Sequence, residues 1–230
     1  VSPGDGGYGV GDVSRVIGSY SPKLTATLAE MYRGITSGTV TPVSSIEVAE
    51  ASKLVENAQR DIDIAFVNEL AILLPKMGLD VEEVLAAAST KWNFHRHTPG
   101  IGVGGHCIPI DPYYYMEIAR RFGVISALSP AARALNSSMP QHIARELVSL
   151  CGGVQPRRVL VMGYAYKPNI SDTRETPVAH LVNILSESGT TDIFVWDPLI
   201  DSSRLLRPAQ NVSDPYSLED IDCIVIGTAH

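Results

Sequence analysis

Three short apolar runs in the last third of the chain, "RVLVMG", "DIFVWD" and "DCIVIG", constrain its fold more than any other feature. Each is rich in Val and Ile and bounded by Asp or Gly, the signature of a strand buried on both faces. Between the first two lies "TPVAHLVNILSESG", apolar at helical spacing. Strand, helix and strand in that order require a crossover connection, and therefore a parallel sheet.

Upstream the patterning is helical. Residues 1–20, "VSPGDGGYGVGDVSRVIGSY", are glycine-rich without a period and read as a linker with one short strand near Arg15 to Gly18. A helix is expected from Ser21-Pro22 to about Gly38. A longer one follows over about 45–77, where Ser44 and Glu47 form a capping box and Ile46, Val55, Ala58, Ile62, Phe66 and Leu70 mark one face. Asp80 with Glu83 starts a short helix through "VEEVLAAAS". Asp111 before Pro112 predicts an N-cap and first helical residue, with Gly123 closing that helix. Another helix covers about 129–150, bent at Pro140 and ended by "CGGVQP". The expected class is α/β overall: a linker over 1–20, an all-α domain over 21–152, and an incomplete α/β domain with a parallel sheet over 153–230. Val1 in place of an initiator Met, and an apolar strand that runs into the last residues, predict a fragment of a longer chain.

Composition narrows the partners. With 230 residues, 45% of them hydrophobic and 19% charged, the chain can bury a sizeable core. A net charge of −7 argues against nucleic acid, whose phosphates call for clustered Lys and Arg. The most apolar run, "IAFVNELAILL", is interrupted by Asn68 and Glu69 and is too short to cross a bilayer. Three widely spaced cysteines, Cys107, Cys151 and Cys223, with no secretory leader before them, argue against a disulfide framework and for a reducing, cytoplasmic compartment.

Candidate chemistry concentrates in "TPGIGVGGHCIPIDP", residues 98–112. Glycine admits a close backbone approach, so Gly100, Gly102, Gly104 and Gly105 would form a wall for a ligand beside Cys107; the plainer reading is a packed cysteine in a tight loop. Lys53 and Asn57 stand at i and i+4 on the long helix and Arg60 extends their face. That face is by default a solvated stripe; were it to line the glycine loop, an ammonium, an amide and a thiol would meet, as nucleophilic catalysis through sulfur requires. His95, His97, His106 and Cys107 are each acceptable zinc ligands, but their spacing matches no compact zinc signature. A His106–Cys107 hydrolase dyad is disfavoured, because adjacent residues in an extended segment point apart. In "VLVMGYAYKPNISDTRETP", Gly163 follows a strand and Lys167 and Arg174 follow it, an arrangement suited to a phosphate or carboxylate at the carboxyl ends of strands, although the G-x-G-x-x-G fingerprint is absent.

Taken together, "EASKLVENAQRDIDIAFVNELA", "GVGGHCIPIDPYYY" and "GYAYKPNISDTRETP", in this order and at these separations, closely resemble the UDP-glucose/GDP-mannose dehydrogenase family. The His before the Cys and "IPIDPYYY" after it resemble the branch acting on UDP-N-acetylhexosamines. The resemblance implies a central helical domain that forms a homodimer and a Rossmann-like domain that binds the UDP-sugar, with the NAD-binding domain lying upstream of this chain. It implies a two-step oxidation of the sugar C6 alcohol to a carboxylate, through a thiohemiacetal and a thioester on Cys107. On the same resemblance Lys53 is the acid/base or oxyanion stabiliser, Asn57 orients the reacting oxygen or water, and Asp111 assists proton transfer. Val1, Arg60, Gly104, Tyr166 and Lys167 are implied substrate contacts, and Arg174 a contact to NAD phosphate; no metal is implied. Where bacterial N-acetylmannosamine enzymes resemble "HPRVN", this chain has "KWNFH", which makes His95, Arg96 and His97 alternative substrate contacts. The rival expectation is a non-catalytic dimerisation or nucleotide-sugar-binding module with Cys107 merely packed.

Overall fold

A computed structural model describes residues 9–230, which form two compact units, up to Asn57 and from Ala58 onward. In the first unit, strand β1 (Arg15–Ile17) pairs in parallel with β2 (Val40–Pro42), Arg15 opposite Val40 and Ile17 opposite Pro42. Helix α1 (Pro22–Arg33) connects them, capped by Ser21, whose hydroxyl accepts the Leu24 N–H. Ile17, Ala29 and Val40 make a small core with Leu28 against it. The helix stops short of the expected Gly38. Gly34 N–H bonds back to the Met31 carbonyl, and Thr36 Oγ1 donates to the Gly11 and Val13 carbonyls, which draws the chain out of the helix and towards β2.

Helix α2 (Ile46–Leu73) begins in this unit. Its cap is Ser45 rather than Ser44: Ser45 Oγ accepts the Val48 N–H, and the Ser45 hydroxyl beside Glu47 holds that carboxyl below its ordinary range. The expected box of Ser44 and Glu47 is therefore replaced by a simple serine cap: the third helical residue is Val48, and Glu47, second in the helix, bonds the Ser45 side chain.

In the second unit α2 runs on into a 3-10 turn, Leu74–Met77, that Gly78 ends in the left-handed region at φ 73°. Helix α3 (Val81–Ala88) is capped by Asp80, whose carboxylate accepts the Glu83 N–H. Helices α4 (Asp111–Arg121) and α5 (Leu128–Leu150) follow, the first closed at Gly123 and the second containing Pro140. Strands β3 (Arg158–Met162), β4 (Asp192–Trp196), β5 (Gln210–Asn211) and β6 (Cys223–Ile226) form one parallel sheet in the order β5-β4-β3-β6, and α6 (Pro177–Glu187) is the crossover from β3 to β4. The α/β class and the parallel sheet expected from the three apolar runs are what the chain forms.

The sheet carries the main core. Val159, Val161 and Val195 are completely buried, as are Leu181, Val182 and Leu185 of α6, and each such side chain contributes about 1.5–3 kcal/mol over leaving it in water. Ala144 and Leu147 of α5 enter this core, and so does Ile101 from the glycine stretch. The loop before Cys107 is thereby anchored in the α/β core. No described helix is long and apolar enough to cross a membrane.

Candidate functional site

Cys107 closes the glycine loop and is fastened to α4. Its carbonyl accepts the N–H of Ile110 at 3.0 Å and of Asp111 at 2.8 Å, so helical winding starts at the thiol itself. That early start corrects the expected cap. Because the Asp111 N–H already makes an i to i−4 bond, Asp111 is the first residue inside α4 and Ile110 occupies the cap position without a side-chain cap. The half-buried Asp111 carboxyl thus sits in the first turn, where a negative charge is favoured by the helix dipole.

The loop is clamped from both sides. Gly102 has φ 141°, and a Cβ there would come within 2.9 Å of the Asn136 carbonyl of α5. At Gly104 a Cβ would meet Tyr166 Cβ at 2.5 Å, the Glu175 carbonyl at 2.8 Å and Pro177 Cδ at 3.0 Å. Gly105 N–H donates to the Arg174 carbonyl at 3.0 Å, and the Tyr166 ring lies over its α-carbon. The glycines expected to leave room for a ligand instead let the loop pass between α5 and the segment after β3; only Gly100 has open space beside it. Any ligand contact from Gly104 would come from its main chain.

The segment after β3, residues 163–176, is held in an uncommon backbone conformation, with Asn169 at φ 62° and Glu175 at φ 50°. Asp197 at the end of β4 anchors its start: Oδ2 accepts the N–H of Tyr164 at 2.7 Å and of Ala165 at 3.1 Å, and Oδ1 accepts the Leu199 N–H. His230 bridges Asp197 Oδ2 through Nε2 and the Asn169 N–H through Nδ1. Within this segment the exposed Arg174 guanidinium is paired with Asp172, Nε lying 3.0 and 2.9 Å from the two carboxylate oxygens. Arg174 holds the Asp172 carboxyl below its usual range, with a smaller pull from His106. Burial pushes the Tyr166 hydroxyl up, and the charges of Asp172 and Cys107 add to that rise. Cys107 also contributes to the raised titration of Arg174, after the dominant bond to Asp172. Cys107, Gly104, Tyr166 and Arg174 are therefore brought into one neighbourhood, and Lys167 is half-buried in the same segment.

Most of the other expected residues lie on α2 or in the segment before the thiol loop. Lys53 pairs with Glu56 at 3.2 Å on the exposed side of α2, while Asn57 is only 2% exposed, so the solvated-stripe reading fails at Asn57. Asn57, Ala58 and Asp61 share a buried stripe of that helix. Arg60 is exposed on α2, and Val1 lies outside the described residues. His97 Nε2 lies 3.6 Å from Asp63 Oδ2, and Arg96 pairs with Glu82. Among the described residues no three His, Cys, Asp or Glu side chains converge to hold a metal ion, so the zinc set raised by His95, His97, His106 and Cys107 is not assembled.

A buried polar chain escaped the sequence reading. Asp61 Oδ1 accepts from Arg133 Nη1 and from Asn136 Nδ2, both at 2.8 Å. Asn68 Nδ2 donates to Asn136 Oδ1, and Asn68 Oδ1 accepts the Gly100 N–H, each at 2.9 Å. Burial pushes the Asp61 carboxyl up, opposed by the Arg133 charge and the Asn136 bond. The chain ties α2 to α5 and fixes the entry to the thiol loop. Its one sequence signal was Asn68, a polar break in an apolar run two helical turns after Asp61.

These features define a class: an α/β protein in which a half-buried thiol, on a loop clamped between helices and sheet, faces the carboxyl-end segment of a parallel sheet, where open α/β folds bind nucleotides. Known proteins agree. Residues 47–138 match the central domain of the UDP-glucose/GDP-mannose dehydrogenase family, and residues 160–230 match that family's UDP binding domain. The chain belongs to this family. It is 39% identical over 211 residues to a UDP-N-acetyl-D-glucosamine 6-dehydrogenase of Pseudomonas aeruginosa, covering 90% of this chain and 50% of the relative. Its structure resembles a UDP-D-ManNAc dehydrogenase of Pyrococcus horikoshii, with a TM-score of 0.81, 32% identity and coverage of 95% of this chain and 50% of that one. It also resembles a UDP-glucose dehydrogenase of Pyrobaculum islandicum, with a TM-score of 0.85, 28% identity and coverage of 94% and 51%. The chain thus spans about half the length of the relatives it matches.

Proposed function

We propose that the full-length protein oxidises the C6 alcohol of a UDP-N-acetylhexosamine to the carboxylate in two NAD-dependent steps, with Cys107 as the nucleophile. The observation that carries this reading is the fixing of Cys107 to the first turn of α4 while its loop is bonded to the Tyr166–Arg174 segment. Family membership and the UDP-N-acetylhexosamine dehydrogenases among the relatives support the substrate class.

In this reading the Cys107 thiolate adds to the C6 aldehyde to give a thiohemiacetal, and the thioester formed by the second oxidation is hydrolysed by water. Lys53 serves as acid/base or oxyanion stabiliser, Asn57 orients the reacting oxygen or water, and Asp111 assists proton transfer. Val1, Arg60, Gly104, Tyr166 and Lys167 contact the UDP-sugar. When bound, NAD supplies the hydride acceptor for both oxidations. Arg174 suits one of its phosphates, since its side chain is 59% exposed and its planar guanidinium is held in place by Asp172. Residues 21–152 are the dimerising central domain and 153–230 the UDP-sugar domain of a cytoplasmic homodimer.

The test counts NADH formed per molecule of UDP-N-acetylglucosamine, UDP-N-acetylmannosamine and UDP-glucose by the full-length protein, with and without Cys107→Ala. About two NADH per sugar, lost in the variant, is the expected result. No NADH from any of the three would favour a nucleotide-sugar-binding module.

A further inference from the structure

We infer that Cys151 and Cys223 are a redox-reactive pair that closes into an intramolecular disulfide by exchange with a low-molecular-weight disulfide such as oxidised glutathione. The inference is independent of the proposed catalytic role of Cys107. The two Sγ atoms lie 2.6 Å apart although 72 residues separate them in the chain. Both side chains are free thiols and half-buried, which leaves a small reagent a route to them.

Their meeting is built into the fold. Cys151 is the C-cap of α5, and Gly152 and Gly153 follow it at φ 70° and 84°, a glycine pair that lets the helix end turn sharply into β3. Cys223 opens β6 opposite Val159. The adjoining Asp222 carboxylate accepts the N–H of Arg157 at 2.8 Å and of Arg158 at 2.9 Å, so the start of β6 is pinned to the connection that leaves Cys151. A bridge would thus join two elements whose backbones are already fixed side by side.

The exchange proceeds by two successive thiolate substitutions at sulfur. One Cys151 thiolate attacks a sulfur of the small disulfide; that S–S bond breaks and the first small thiolate leaves with its electron pair. Burial, then the bond to Cys151 and its charge, push the Cys223 thiol up to about 11. Cys223, which the fold holds against Cys151, then attacks the Cys151 sulfur of the mixed disulfide and expels the second small thiolate. Two protein thiols lose two electrons, the small disulfide is reduced to two thiols, and the protons released by the cysteines pass to the leaving groups.

The test exposes the full-length protein to oxidised glutathione, blocks the remaining thiols with iodoacetamide and maps peptides without reduction. The expected result is a linked Cys151–Cys223 peptide, loss of alkylation at both positions, and recovery with dithiothreitol. Cys151→Ser and Cys223→Ser should each abolish the link and leave a glutathione adduct on the surviving partner, while Cys107→Ala should leave the link intact. Persistent alkylation of Cys151 and Cys223, separate adducts on both in the unsubstituted protein, or a link to Cys107 would overturn the inference.

Discussion

Gly104 and Gly100 stand four residues apart in the same loop, and replacing each by Ala separates a steric demand from a general glycine effect. A Cβ at Gly100 meets nothing within 4 Å, whereas at Gly104 three atoms lie at 2.5, 2.8 and 3.0 Å. None of those three can swing aside: Tyr166 Cβ is fixed to its backbone, the Glu175 oxygen is main chain, and Pro177 Cδ is in a ring. Relieving the shortest contact to an ordinary carbon–carbon distance of about 3.5 Å requires a backbone shift of about 1 Å. Overpacking of this kind costs about 1–3 kcal/mol, and with no flexible neighbour Gly104→Ala should fall at about 2–3 kcal/mol. Both substitutions gain the same stabilisation from a stiffer unfolded chain, about 0.4–1 kcal/mol, so their difference isolates the clash. Urea unfolding followed by Trp196 fluorescence, in a Trp92→Phe background, reads the α/β core, because Trp196 ends β4 and Trp92 is 92% exposed. Gly100→Ala should match the parent or exceed it slightly. If Gly104→Ala unfolds within about 0.5 kcal/mol of Gly100→Ala, the close approach of Tyr166, Glu175 and Pro177 to Gly104 is not a structural requirement.

Arg133→Ala leaves the Asp61 carboxyl buried without its cation and should cost about 3–5 kcal/mol, measured by denaturant midpoint; a loss below about 1 kcal/mol would mean that the ion pair is not closed off from water. Asp197→Asn should destabilise by about 1.5–3 kcal/mol, since it removes a charged acceptor from several main-chain donors. Burial alone would raise the Asp197 carboxyl, but the N–H bonds from Tyr164, Leu199 and Ala165 and the His230 contact outweigh it and leave the value lowered. Stability from that lowering is present above the ordinary aspartate range near pH 3.9 and is lost as pH falls through the lower folded value. A parent acid-unfolding curve that Asp197→Asn leaves unmoved would contradict it. Lys53→Ala removes only an exposed pair and should change stability by less than about 0.5 kcal/mol, yet on the proposed function it lowers kcat by about 100-fold or more; equal kcat in both proteins would remove Lys53 from the chemistry.

What was legible in the sequence is what depends on near neighbours. Apolar spacing located α2 and α5, and Val-rich runs located β3, β4 and β6, because periodicity is a local property of helix and strand. Gly123 and the Asp80–Glu83 cap were equally readable. Strand β2 escaped because three residues, Val-Thr-Pro, carry no period; the α4 cap shifted because the Asp111 N–H already bonds the Cys107 carbonyl, and the α2 cap shifted because two adjacent serines offer the same side chain and Ser45 is the one that accepts the Val48 N–H. The Lys53, Asn57, Cys107 and Asp111 grouping came from a family resemblance, not from spacing. The Asp61, Arg133, Asn136 and Asn68 chain could not be read at all: its members come from two helices, and pattern within either one gives no clue to the pairing. Cys151 and Cys223 are hidden for the same reason.

The clamp at Gly104 also bears on inheritance and engineering. One side of that contact is a missing side chain and the other is Tyr166 with Pro177, so each side makes sense only with its counterpart. A chimera joined in the α5–β3 connection, taking the α/β portion from a relative, would combine a loop fitted to one surface with a surface fitted to another loop. Residues 100–107 should therefore travel with residues 163–177 in any such exchange, although a helix of 23 residues and the whole of α4 lie between them.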